Sequence, residues 1–345
     1  VSPGWFDRLL EATRNYSGSS IDKWVGAANA PVIRAILLGD KSDLDVETKR
    51  SFSTAGAMHL LAVSGMHVGL IVLLLIGFFK FIFLYRGKFI AYCLILVILW
   101  FYAFLTGFSA SVVRAVVMFT FVLLASMIRR SYQPVNALSI AGFCILLWDP
   151  VAVFDIGFQL SFLAMLGIFS VYPLLEERVL SRNKWVNTAW QGTAIGLAAQ
   201  VFTIPVSLFY FHQFNNYFIL TNLAIILFSG MIVGLGVGLI AVGKIPFLSV
   251  PIGWLLAVCC SILVSFIAFV ELIPGALAVG FSPGWAWVLV TYCLVFFGLY
   301  WAGRKKWLIL ITSFIPVVLW IQTDRFYNLS TKEWIIFNSN YPTLL

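Results

Sequence analysis

The sequence predicts an all-α fold: a polytopic transmembrane helical bundle of about ten membrane passages, some short or broken, with an amphipathic N-terminal segment on the outer face. Three observations predict it. Of 345 residues, 61% are hydrophobic and 10% charged, whereas soluble domains run near ~45–50% apolar. The apolar residues gather in runs close to the ~20 residues that a bilayer core requires. The basic residues fall in every second connection between those runs.

The runs lie near 60–79, 89–106, 112–128, 137–148, 156–175, 191–211, 218–242, 251–273, 285–302 and 307–321. The fourth stops early at Trp148-Asp149-Pro150, which predicts a half-helix or re-entrant segment. The odd connections hold Lys80, Arg86 and Lys88; Arg129 and Arg130; Arg178, Arg182 and Lys184; Lys244; and Arg304, Lys305 and Lys306. The even connections, 107–111, 149–155, 212–217 and 274–284, hold no Lys or Arg. Basic loops stay in the cytoplasm, so ten passages place both termini outside. Removing the fourth run would break this alternation for every later loop.

The first 58 residues carry seven basic and seven acidic side chains. Pro3 opens a helix whose Phe6, Leu9 and Leu10 share a face, as in a helix lying on the outer membrane surface. Further on, Ile33, Ile36 and Leu37 are helix-spaced, Gly39 ends that turn, and Asp45 can cap the next helix. The expected organisation is an extracytoplasmic amphipathic or interfacial segment (1–58), a transmembrane domain (59–321), and the start of a truncated outer soluble domain (322–345). "EWIIFN" (333–338) reads as the first strand of that domain. A start at Val1, without Met or a cleavable signal, predicts a piece of a longer protein.

Cys93, Cys144, Cys259, Cys260 and Cys293 sit in apolar runs without C-x-x-C spacing. They read as small hydrophobes, and neither a metal nor a cofactor is expected. Residues 238–245 approach the P-loop pattern, but Ile245 replaces the metal-binding hydroxyl and no strand precedes it. Gly230, Gly234 and Gly238 recur every fourth residue, a pattern for close helix packing.

Polar groups within apolar runs carry a cost in lipid and so mark function or helix bridging. "MHLLAVSGMHVG" places His59 and His67 eight residues apart, able to share one helix face, with Ser64 three before His67. This set fits an inter-helix hydrogen-bond site, the lining of a wet pathway, or a serine nucleophile. For the last, Val63-Ser64-Gly65 is loosely similar to the G-x-S-G of rhomboid-type proteases, with Ala62 where the glycine stands. "TGFSASVVRAVVM" puts Arg114 inside the third run, either snorkelling outward or meeting an anion in a wet interior. Ser109 and Ser111 stand at that helix start, where free N–H groups favour anions. Asp155 can cap the fifth helix, with Gln159 and Ser161 in its first turns. His212 and Asn222 lie at the outer ends of the sixth and seventh runs. Together these residues suggest an outward-facing polar vestibule.

"AILLGDKSDLD", "HLLAVSGMHVGLI", "GFSASVVRAVVM", "NALSIAGFCILLWDPVAVFDIGFQLSFLAMLG" and "FHQFNNYFILTNL" follow, in order, the motifs of the ComEC competence protein family. The chain resembles that family over roughly residues 30–320. The resemblance implies a multi-pass channel in the bacterial inner membrane that admits single-stranded DNA during natural transformation. Members usually carry an outer OB-like domain before this region and a metallo-β-lactamase-like domain after it. No H-x-H-x-D-H pattern occurs here, so a channel rather than an enzyme is expected. On this reading His59, Ser64, His67, Ser109, Ser111, Arg114, Asp155, Gln159, Ser161, His212 and Asn222 line or brace the DNA path. The expected partners are single-stranded DNA, a cytoplasmic ATPase or helicase, an outer DNA-receptor protein, the lipid bilayer, and further copies of the chain in a homo-oligomer. The competing reading is a transporter or lipid-handling protein for a small anionic substrate, with its site at the broken helices.

Overall fold

An apolar run in lipid finds no water for its backbone polar groups, so it satisfies them internally as a helix. The computed structural model describes residues 5–83, 87–128, 133–176 and 183–302. In chain order the helices are α1 (Trp5–Val25), α2 (Ala30–Leu38), α3 (Val46–Thr54), α4 (Gly65–Phe83), α5 (Lys88–Leu105), α6 (Ala110–Met127), α7 (Pro134–Trp148), α8 (Ile156–Glu176), α9 (Lys184–Phe211), α10 (Phe218–Val242), α11 (Pro246–Leu272) and α12 (Trp285–Ala302). Two three-residue strands, Gln213–Asn215 and Leu277–Val279, interrupt this all-α fold. Six helices, α5, α6, α8, α9, α10 and α11, are long and apolar enough to cross a membrane, and α4, α7 and α12 are shorter apolar helices. The expected run 307–321 and the segment 322–345 lie outside the described residues.

The predicted break after the fourth run is present. Helix α7 has 15 residues and begins with a proline in its first turn. Asp149 ends it and accepts from the Val151 N–H at 3.1 Å, capping a 3-10 turn over Pro150–Phe154. Helix α8 starts immediately afterwards.

The chain divides into two compact units, residues 1–204 with 214–278 and residues 205–213 with 279–345. In the second, Phe209 packs on Trp285 with ring centroids 4.3 Å apart. The first holds the main core, where Phe52, Ile33, Leu60, Ile95, Leu123 and Ile225 are fully buried.

Within the first unit, polar ties join helix ends and turns at one end. The Ser111 hydroxyl donates to the Val63 carbonyl, and the Ser51 hydroxyl to Glu271. Asn215 Nδ2 donates to the Ser53 and Thr54 carbonyls at 3.0 and 2.7 Å. The connections around Lys88, Lys184 and Lys244 belong to the opposite, basic end. There the Trp190 indole donates to the Leu175 carbonyl at 3.0 Å.

The N-terminal segment departs from expectation. Helix α1 forms, but its second half packs against α10 and α11 at the basic end instead of lying free. Tyr16 Oη donates to the Ile240 carbonyl at 3.2 Å, and Trp24 Nε1 to the Gly243 carbonyl at 3.1 Å, both at the basic end of α10. A Cβ on Gly253 would fall 2.6 Å from the Trp24 carbonyl. Asn29 Nδ2 then donates to Ser261 Oγ at 2.8 Å, midway along α11, and Ser51 meets Glu271 at its far end. Gly253 to Glu271 is 18 residues, or ~27 Å of helix. Residues 24–51 therefore follow the depth of the bundle. An amphipathic pattern says that one face needs cover, not what covers it; here α10 and α11 do. Helix α2 is buried almost throughout.

The glycine repeat of α10 packs, but less tightly than its neighbour. Cβ atoms on Gly230 and Gly234 would meet Leu70 and Leu74 of α4 at an ordinary 3.9 Å, and Gly238 has no neighbour within 4 Å. Gly236 is the crowded position, where a Cβ would overlap Leu37 of α2. The P-loop-like stretch is the last turns of α10 and the turn into α11.

Candidate functional site

Helix α4 begins at Gly65, not near residue 60. Residues before it form turns, closed by Leu60 N–H to Ala57 O at 2.9 Å. His59 is exposed in those turns, whereas His67 is fully buried, so the expected shared helix face does not exist. The cause is a helix cap. Ser64 is the cap residue and His67 the third helical one. His67 Nδ1 accepts the Ser64 backbone N–H at 3.1 Å. This is the reach-back that Glu or Gln makes in a capping box. It places the imidazole proton on Nε2, a buried nitrogen without a partner among the described residues. Ser64 Oγ lies 3.5 Å from Nδ1, a nitrogen already engaged by the amide.

Helix α6 starts beside α4. Thr106 Oγ1 donates to the Tyr102 and Ala103 carbonyls, ending α5. Gly107 and Phe108 then turn the chain with positive φ of 68° and 51°. Ser109 caps α6 through its carbonyl, which accepts from Val112 and Val113 at 3.0 Å each, while its buried Oγ has no partner among the described residues. Ser111 ties this turn to Val63, and a Cβ on Gly65 would lie 3.5 Å from Ala115. Arg114 follows on the next turn. It does not snorkel: the residue is 5% exposed, and Nε has no partner among the described residues.

The guanidinium of Arg114 points to the start of α8. Its Nη1 stands 3.8 Å from Asp155 Oδ2, a loose pair. Asp155 is the predicted cap, accepting from Gly157 N–H at 3.1 Å and Phe158 N–H at 3.2 Å, with its side chain half exposed. Gln159 Nε2 donates back to the Val153 carbonyl at 3.0 Å, and Ser161 is half-buried one turn on. Three helix N-termini, of α4, α6 and α8, thus stand side by side. Each contributes roughly half a positive charge. Arg114 adds a full one, and Asp155 is the carboxylate that faces it.

Two candidates remain, one in each unit. Asn222, half-buried in α10, stands against α9: a Cβ on Gly196 would come within 3.3 Å of its Nδ2. His212 belongs to the second unit, where it ends α9 with φ 55° and donates its N–H to Leu208 O. Glu271 escaped notice in the sequence, although it is the sole acid of α11. It holds Ser51 and stands 3.6 Å from Arg50 Nε. Beside it opens a groove of about 660 Å³, lined by Arg50, Thr54, Glu271, Pro274 and Leu277. Among the described residues no His, Cys, Asp or Glu cluster is placed to hold a metal.

These features define a polytopic helical protein with a positively biased rim at one end of its bundle. The chain matches the family described as Competence protein over residues 36–305 and belongs to that family, the ComEC-type competence proteins. It is 30% identical to ComE operon protein 3 of Bacillus subtilis over 184 residues, 53% of this chain and 23% of that protein. It is 26% identical to Recombination protein 2 of Haemophilus influenzae over 217 residues, 58% of this chain and 27% of that protein. An uncharacterized protein of Aquifex aeolicus is 33% identical over 210 residues, 59% of this chain and 49% of that protein. The matched stretch spans from about a quarter to about half of these relatives' length. No solved structure matches the chain.

Proposed function

We propose that this chain forms the membrane conduit for single-stranded DNA in natural transformation, with the Arg114 rim as its outer mouth. Family membership supports the process. The carrying observation for the site is Arg114 itself: a buried guanidinium between helix N-termini, held by one loose, half-exposed carboxylate. A phosphodiester oxygen fits there in place of Asp155, since Arg binds phosphate and carboxylate by the same fork.

In this reading the basic connections face the cytoplasm of the bacterial inner membrane. Ten apolar passages, counting the run 307–321, leave the C-terminus outside, while α1 keeps to the cytoplasmic side with Lys244, so residues 24–51 add a further crossing beside α11. The conduit reading asks no catalysis of the Ser64–His67 pair, whose acceptor nitrogen is engaged by a helix cap. Drawing one phosphate inward against an inside-negative potential costs ~2.3 kcal/mol per 100 mV. A separate cytoplasmic ATPase or helicase supplies that work from the basic end. An outer receptor delivers the strand, and copies of the chain are free to pair as a homo-oligomer.

The test is uptake of labelled DNA in cells. Arg114→Lys should keep part of the uptake, and Arg114→Leu should abolish it at normal protein levels. Loss of folded protein in Arg114→Leu alone would make the arginine structural. A single cation also suits a small anionic substrate. Purified protein in vesicles that moves such anions but not long strands, with an ATPase supplied, would replace the conduit reading.

A further inference from the structure

We propose that the cleft between α1 and the α10–α11 turn binds the phosphate of an anionic phospholipid. The cleft holds about 300 Å³ and is lined by Tyr16, Ser20, Lys23, Trp24, Lys244 and Pro246. Its two cations come from sequence positions more than two hundred residues apart, brought together by the Tyr16 and Trp24 bonds to α10. Lys23 Nζ lies 4.6 Å from the Trp24 ring centroid, and Lys244 Nζ 5.5 Å from that of Tyr16. Among the described residues neither lysine has a carboxylate within ion-pair distance. The adjacent Asp22 is held by Arg34 at 3.2 Å. Two positive charges therefore face one cleft with aromatic support and no internal counter-ion.

The surroundings select a lipid as the source of the phosphate. Phe247, Val250 and Trp254 follow the cleft at one-turn spacing along α11 and are 87%, 54% and 66% exposed. An acyl chain lies along such a stripe when its headgroup sits in the cleft. Tyr and Trp with Lys at the end of an apolar helix is the side-chain set of a membrane–water interface. Basic pockets between helices on the cytoplasmic side take anionic headgroups by this chemistry. The inference rests on the membrane-spanning class and on the cytoplasmic placement of the basic end proposed above, and is independent of the DNA reading.

The experiment is native mass spectrometry of the purified chain in detergent with phosphatidylglycerol or phosphatidylcholine. Phosphatidylglycerol should be retained at least several-fold over phosphatidylcholine. Lys23→Gln with Lys244→Gln should weaken that retention roughly thirtyfold, about what two interfacial charges supply. Lys23→Arg with Lys244→Arg should preserve it, which separates lost charge from lost fold. Equal retention of both lipids, or equal loss in the Gln and Arg pairs, overturns the proposal. So does displacement by glycerol phosphate at the lipid's own concentration, which would make the cleft a site for soluble anions.

Discussion

His67 has one acceptor nitrogen and uses it on the amide of Ser64. Gln carries an acceptor at similar reach and is the usual partner in that position of a capping box, so His67→Gln should be mild. His67→Leu leaves the cap open and should cost about 0.5–2 kcal/mol, read as a lower unfolding temperature in detergent. Equal damage from both would point to a role of the imidazole itself. The i, i+3 spacing of Ser64 and His67 was visible in the sequence, where three roles fit it. The role was hidden because it depends on where the helix begins. Gly65 and the turns before it start α4 five residues later than hydropathy alone indicates. Asp155 was legible for the opposite reason: a carboxylate just after a Pro-broken segment has few uses besides capping.

At the scale of single elements, α3 gives a pH prediction. Hydrogen bonds from Thr48 hold the Asp45 carboxyl below its ordinary 3.8, and bonds from Ser42 do the same for Asp40. A carboxyl with a lowered folded pKa contributes its stability above the unfolded value, near ~3.9, and loses it as pH falls through the folded value. Helix α3 should therefore keep its protection at neutral pH and fray in acid. Asp45→Ala should fray it at every pH, by about 1 kcal/mol, or roughly fivefold faster amide exchange at Thr48 and Lys49. A second element-level test lies at the α8–α9 crossing. A Cβ on Gly167 would overlap the Ala198 carbonyl. Gly167→Ala should push these helices apart and cost about 1–3 kcal/mol. The crossing could not be read from the chain, because a lone glycine in an apolar helix says nothing about which backbone approaches it.

For the whole molecule, the charge pattern carries the expected topology: the odd connections are basic and the even ones hold no Lys or Arg. Runs of apolar residues declare themselves by length, and a basic loop declares its side without reference to packing. The N-terminal segment did neither. Its mixed charge suggested a surface helix, and only the bonds to Ile240, Gly243, Ser261 and Glu271 show that it follows the bundle's depth. Cysteines at Lys88, Lys244 and Ser19 should thus be modified by a polar reagent from the cytoplasm, and those at 152 and 214 from outside. Modification of position 19 together with 214, and not with 244, would return α1 to the outer face.

The looseness of the Arg114–Asp155 pair bears on speed. Asp155 is anchored to the first turn of α8 by two backbone amides, so it stays within reach of Arg114 at high effective concentration even when another anion occupies the guanidinium. Such a tethered competitor shortens the dwell time of each visiting phosphate. On the conduit reading proposed above, a strand passing the Arg114 rim would feel a brief hold at every nucleotide instead of a trap. Removing the tether's charge, as in Asp155→Asn, should then strengthen DNA binding while slowing its passage.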